Sequence, residues 1–168
     1  SDPLLPYPVL FVLGPFMQPE VRARFAKRTA NLDRVETITF DPHLESLMTH
    51  AAGVVAMGGY NTFCEILSFN KRALIVPREK PRLEQRIRAL RAQELGLSKV
   101  LINDGKRNPA KMAAALRAMP KQKLPSEVVV PGLLEGLFNV NRLMAPWLYR
   151  AAESGAAAQT VHNLMDEA

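Results

Sequence analysis

The sequence predicts an α/β domain with a doubly wound parallel sheet, and three observations carry that reading. Five short apolar runs of strand length alternate with segments of helical periodicity. The apolar runs are continuous rather than alternating, as in strands covered on both faces. A chain of 168 residues with 48% apolar content is long enough for one compact core, and 23% charged residues argue against disorder. No uncharged apolar run of about 18 residues occurs, so no membrane-spanning helix is expected. The main domain is expected over residues 1–150, with 151–168 an Ala-rich helix or tail.

Each element has its own signal. Val9-Leu10-Phe11-Val12-Leu13 ends at Gly14-Pro15 and reads as the first strand, followed by a helical stretch from Glu20 to Thr29. Val35 to Phe40 is β-rich and stops at Asp41-Pro42. His43 to Ala51 carries Leu44, Leu47 and Met48 at i, i+3, i+4 spacing, a short amphipathic helix. Gly53 to Met57 is the third strand, broken by Gly58-Gly59, and a helix from Thr62 to Phe69 follows.

Ala73 to Val76 is the fourth strand, closed by Pro77. Leu83 to Leu95 is a helix stopped by Gly96, with Leu83, Ile87, Leu90 and Leu95 as its expected buried stripe. Lys99 to Ile102 is the fifth strand, and Pro109 to Met119 a helix with proline at its start. Residues 120–131 read as loop, and Leu133 to Leu148 as an apolar helix interrupted at Pro146.

Composition narrows the partners. The single Cys64 can form neither an internal disulfide nor a cysteine-based zinc site, so a reducing, cytoplasmic compartment is expected. Of the 22 basic residues, eight (Lys71, Arg72, Arg78, Lys80, Arg82, Arg86, Arg88 and Arg91) face only Glu79 and Glu84 within residues 71–91, which accounts for the whole net charge of +6. Such a field favours an anionic partner, although a solvated helix face has the same appearance.

In a doubly wound sheet, ligands bind beyond the carboxyl ends of the strands. That directs attention to residues 14–18, 40–44, 57–62 and 77–85. The third of these contains Gly58 and Gly59, which admit a sharp turn and close ligand approach. The helix after them would offer unpaired N–H groups and the positive end of its dipole to a phosphate, with Asn61 and Thr62 adding side-chain donors. Glu65, one turn on, suits vicinal sugar hydroxyls. Thr62-x-x-Glu65 equally fits a capping box, which needs no ligand. In the fourth loop two prolines precede Glu84-Gln85, an acid beside an amide, able to accept from and donate to sugar hydroxyls. Read alone, Glu84 also fits a first-turn carboxylate favoured by the helix dipole.

Taken together, Gly59-Tyr60-Asn61-Thr62-x-x-Glu65 with Pro77 and Glu84-Gln85 resembles the donor-binding half of GT-B glycosyltransferases. It is similar to the family 28 C-terminal domain, as in the enzyme that adds N-acetylglucosamine in peptidoglycan lipid synthesis, and to the nucleotide-sugar box of glucuronosyl- and plant glycosyltransferases. The likeness is firmest from about Phe40 to Val100.

The resemblance implies a Rossmann-like half of a GT-B fold that binds a nucleoside diphosphate sugar, with UDP the expected nucleotide. It implies that Asn61, Thr62 and the backbone at Gly58 and Gly59 hold the diphosphate, that Glu65 binds ribose, and that Glu84 and Gln85 contact the sugar. It further implies that Asp41 and the backbone of 40–44 read the base, that Gly14 faces the phosphates, and that Arg78 is a nearby cation, with Lys80 beside it. Two positions depart from the pattern. Met57 stands where the plant-type box has a phosphate-contacting histidine, and Gly14-Pro15-Phe16 lacks the fuller glycine-rich turn.

No metal, no other cofactor and no nucleic acid is expected on this reading. An acceptor domain carrying the general base precedes the donor domain in such enzymes. The sequence opens Ser1-Asp2-Pro3 at the first donor-domain strand, so a fragment lacking that domain and inactive alone is expected. Peripheral membrane association is open to the full-length protein. Two other readings remain: a non-hydrolysing nucleotide-sugar epimerase with a similar Gly-Gly…Glu loop, and a non-catalytic module presenting the 71–91 basic strip to nucleic acid or anionic lipid.

Overall fold

The computed structural model describes residues 7–102, 105, 108–128, 130, 132 and 135–150. The chain forms two compact units, Ser1–Val128 and Val129–Ala168. The first unit alternates strand and helix: β1 (Val9–Val12), α1 (Pro19–Thr29), β2 (Val35–Ile38), α2 (Leu44–His50), β3 (Val54–Ala56), α3 (Tyr60–Ser68), β4 (Ala73–Ile75), α4 (Glu84–Glu94), β5 (Lys99–Val100) and α5 (Pro109–Ala118). Every strand pair is parallel, as the continuous apolar runs predict. Among the described residues the strands hydrogen-bond as two sheets, β1-β2 and β3-β4-β5.

The core sits on the second sheet. In β4, Ala73 and Ile75 point to one face, where they cluster with Met48 of α2, Ile66 of α3 and Ala89 of α4. Leu74 points to the other face and lines a hollow with Ala115 and Ala118 of α5. All three β4 residues are buried, so this strand is covered on both sides.

The first sheet is thinner. Leu10, Phe11 and Val12 are 38%, 37% and 40% exposed, and α1 buries no residue. Its best-defined packing is the edge-on contact of Phe11 with Phe25, ring centroids 5.1 Å apart.

Several sequence expectations are corrected. The strands are shorter by one or two residues, because Leu13, Thr39, Phe40, Gly53, Met57, Val76 and the residues after Val100 already belong to the connecting loops. The expected stripe on α4 is turned: Ala89 and Ala92 are buried, while Leu83 and Ile87 are exposed. Small alanines let the helix approach the sheet closely, which leaves the larger side chains on the outer face.

Residues 119–128 are not plain loop. They hold two 3₁₀ turns, Met119–Lys121 and Pro125–Glu127. Arg72 Nε donates to the Gln122 carbonyl at 2.7 Å, and the Ser126 amide donates to Asn70 Oδ1 at 2.8 Å. In the second unit, residues 136–150 are helical straight through Pro146. Proline there removes one N–H donor without ending the helix. The Ala-rich segment 151–168 lies outside the described residues.

Candidate functional site

The site is built around the turn from β3 to α3. Gly58 has φ +76°, the left-handed region where a side chain is strained, and it lies against the sheet. A Cβ there would come within 2.8 Å of Ile75 Cγ2. Gly59 is the N-cap residue of α3, with φ −54° and ψ 154°, and open space where its Cβ would stand. The helix therefore begins at Tyr60, three residues earlier than the capping-box reading requires. Thr62 sits within the first turn and caps nothing, and no side chain caps this helix.

This placement changes the chemistry of the turn. The Phe63 amide bonds the Gly59 carbonyl at 2.9 Å, so the ladder starts there. The N–H groups of Tyr60, Asn61 and Thr62 precede it and have no intrahelical acceptor. Asn61 is exposed beside them and Thr62 half-buried. Glu65 is half-buried one turn on, and its carboxylate has no hydrogen-bond or ionic partner among the described residues.

The β4–α4 segment reaches the same turn. Arg88 Nη1 donates to the Gly58 carbonyl at 2.9 Å, and its guanidinium lies over the Tyr60 ring, 5.5 Å from the centroid. Gln85 Oε1 accepts from the Arg78 amide at 3.1 Å, which fixes the loop to the first turn of α4. Glu84 is the first residue of that helix and is exposed, as is Arg78. Glu79 pairs with Arg86 at 3.3 Å.

The other two loops follow the first sheet. The Leu13 amide bonds the Ile38 carbonyl at 2.8 Å, so residues 14–18 and 40–44 leave neighbouring strands. Gly14 is exposed, and its carbonyl accepts from Met17 at 3.1 Å. Asp41 Oδ1 accepts from the His43 amide at 2.6 Å, an Asx turn that opens α2. Among the described residues no hydrogen bond or ion pair joins this pair of loops to the turn at 57–62. The structure thus brings Gly58, Tyr60 and Arg88 together, ties Gln85 to Arg78, and joins neither Gly14 nor Asp41 to them.

Arg88 and Tyr60 were not singled out from sequence. Their contact spans 28 positions, and nothing local marks it. The basic strip is also largely committed to internal partners. Lys71 Nζ donates to the Thr49 carbonyl at 2.6 Å, Arg72 holds Gln122, Arg86 pairs with Glu79, Arg88 holds Gly58, and Arg91 pairs with Glu94 at 2.9 Å. Among the described residues no group of three or more His, Cys, Asp or Glu could hold a metal ion, and no helix is long and apolar enough to cross a membrane.

The crystal structure of the glycosyltransferase VinC in complex with DTDP is similar to this chain, with TM-score 0.53 and 22% identity over 67% of this chain and 33% of that one. CalG4, the calicheamicin glycosyltransferase, gives TM-score 0.50 and 24% identity over 71% and 36% respectively. Both share the fold, and this chain spans about a third of their length. No curated protein matches the sequence. Residues 6–127 match the glycosyltransferase family 28 C-terminal domain, a stretch that holds both sheets and all four loops described above. The chain belongs to the glycosyltransferase family 28 C-terminal domain family.

Proposed function

We propose that this chain is the donor-binding half of a GT-B glycosyltransferase and holds a nucleoside diphosphate sugar, with UDP as its nucleotide, at the β3–α3 turn. The observation that carries the reading is the uncapped start of α3: three N–H groups behind two glycines, with no side chain occupying them. A diphosphate satisfies those donors and complements the helix dipole.

The remaining roles are those the family resemblance implies. Glu65, with its unspent carboxylate, accepts from the ribose hydroxyls. Glu84 and Gln85 meet the sugar, Asp41 and the backbone of 40–44 meet the base, and Gly14 leaves room at the phosphates. Arg78 adds positive charge beside the β4–α4 loop.

In transfer, the bond from the anomeric carbon to the diphosphate oxygen breaks and its electron pair leaves on the diphosphate. The added negative charge develops beside the uncapped Tyr60, Asn61 and Thr62 amides. Removing one such donor typically costs about 3 kcal/mol of transition-state stabilisation. The acceptor and the base that deprotonates it are contributed by a separate domain of the whole protein. The lone Cys64 fits a cytoplasmic setting.

Titrating UDP, and dTDP in parallel, into isotope-labelled chain tests the reading. Amide signals of residues 58–65 shift if it is right. Unchanged spectra with both nucleotides at millimolar concentration overturn it.

A further inference from the structure

We propose that Arg88 is a positioning residue that locks the diphosphate turn to the sugar-contacting end of α4, so that the two parts of the donor site respond as one. The inference rests on the donor-site reading above and adds a coupling to it. Arg88 makes two contacts with the turn from a different element: the 2.9 Å bond to the Gly58 carbonyl and the stack on Tyr60. These residues flank Gly59, the N-cap of α3. One side chain thereby grips the turn on both sides of its pivot.

The turn itself has little freedom to adapt. Gly58 is buried at φ +76° with Ile75 directly behind it. Holding its carbonyl in a charge-assisted bond therefore fixes the direction of the following peptide groups as well. On α4, Arg88 lies four residues after Glu84 and three after Gln85, so all three share one side of the helix. The residue that touches the turn is thus carried on the same surface as the pair assigned to the sugar.

The contrast with neighbouring arginines sharpens the assignment. Arg86 and Arg91 on the same helix are each paired with a carboxylate. Arg88 has no carboxylate within 4.0 Å among the described residues, and its bond goes to a backbone oxygen of the turn. A guanidinium suits the task because its planar fork can donate and stack at once, which an ammonium cannot. Met57 and the residues around it supply no cation, so Arg88 is the positive group in contact with this turn.

The test measures UDP binding to the whole chain by calorimetry and by amide shifts. UDP carries no sugar, so a response at residues 84–88 reports coupling through the protein. The expected wild-type result is shifts at both 58–62 and 84–88. In Arg88→Met, which keeps the aliphatic stem, the response at 84–88 is lost and affinity falls about tenfold, as for loss of a charge-assisted bond. Arg88→Lys restores part of both, and Arg86→Gln changes neither by more than about twofold.

An Arg88→Met variant that keeps the 84–88 response and binds UDP within twofold of wild type overturns the proposal while leaving the donor-site reading intact. A folded wild-type chain that binds neither UDP nor dTDP overturns both. If Arg88→Met does not fold, Tyr60→Leu replaces it: the stack is lost while the guanidinium stays, and an undiminished 84–88 response then counts against the clamp.

Discussion

The two sheets of the first unit are built from similar strands and end up in different states. β1 reads Val-Leu-Phe-Val and β4 reads Ala-Leu-Ile, both short, apolar and parallel. Yet Ile75 is fully buried, whereas Phe11 keeps more than a third of its surface. The difference lies in what covers them. α1 offers Pro-Glu-Val-Arg-Ala-Arg-Phe-Ala-Lys-Arg-Thr, with two large apolar side chains, and buries none of its residues. β4 lies under Ile66 of α3 and Ala89 of α4, with α5 behind it. A strand's contribution is set by its covering helices as much as by its own hydrophobicity. The candidate phosphate turn is anchored to the well-covered sheet, so Gly58 has a rigid floor.

Truncation should separate the two regions most strongly. Ile75→Ala leaves a cavity in the packed sheet and is expected to cost about 3 kcal/mol in denaturant unfolding. A loss under about 1 kcal/mol would mean that the second sheet is not the main core. Gly58→Ala combines a left-handed φ with a collision against Ile75, and about 2 kcal/mol is expected. Gly59→Ala, with open space and an ordinary φ, should cost only about 0.7 kcal/mol, the loss of a glycine N-cap. Equal effects at both glycines would refute the geometry of the turn.

Phe11→Ala removes a part-exposed ring with one aromatic neighbour, and about 1.5 kcal/mol is expected. Hydrogen exchange gives the same ranking without mutation: amides of β4 should exchange only on global opening, and those of β1 sooner. The smallest effect on stability is the most informative about the site. Gly59→Asp supplies the cap that α3 lacks and should stabilise the fold by about 0.5 kcal/mol while abolishing UDP binding, because its carboxylate occupies the anion's place. Undiminished UDP affinity in that variant would move the diphosphate elsewhere.

Much of the architecture was legible in the sequence because continuous apolar runs, and glycines or prolines at their ends, are local signals. Gly96, for example, ends α4 region with φ +77° as its position predicts. The errors arose where local and tertiary preferences compete. Thr62 and Glu65 have the spacing of a capping box, but Gly59 opens the helix sooner and leaves Thr62 within the first turn. Leu83 and Ile87 have helical spacing, but the alanines on the other side allow closer approach to the sheet. Long-range polar contacts were invisible for a simpler reason. The partners of Arg72 and Arg88 lie 50 and 30 residues away, and charge patterning alone reads such residues as a surface field.

The bonds that fasten Gln122 and Ser126 to Arg72 and Asn70 have a practical corollary. Met119 is buried and packs on Gly53, just before β3, so the stretch beyond α5 acts as a buckle across the entrance to β3 and β4. Trimming the chain after Ala118 would open that buckle even though every strand and long helix of the first unit stays in place. Any shortened version intended to retain the β3–α3 turn has to run through Val128.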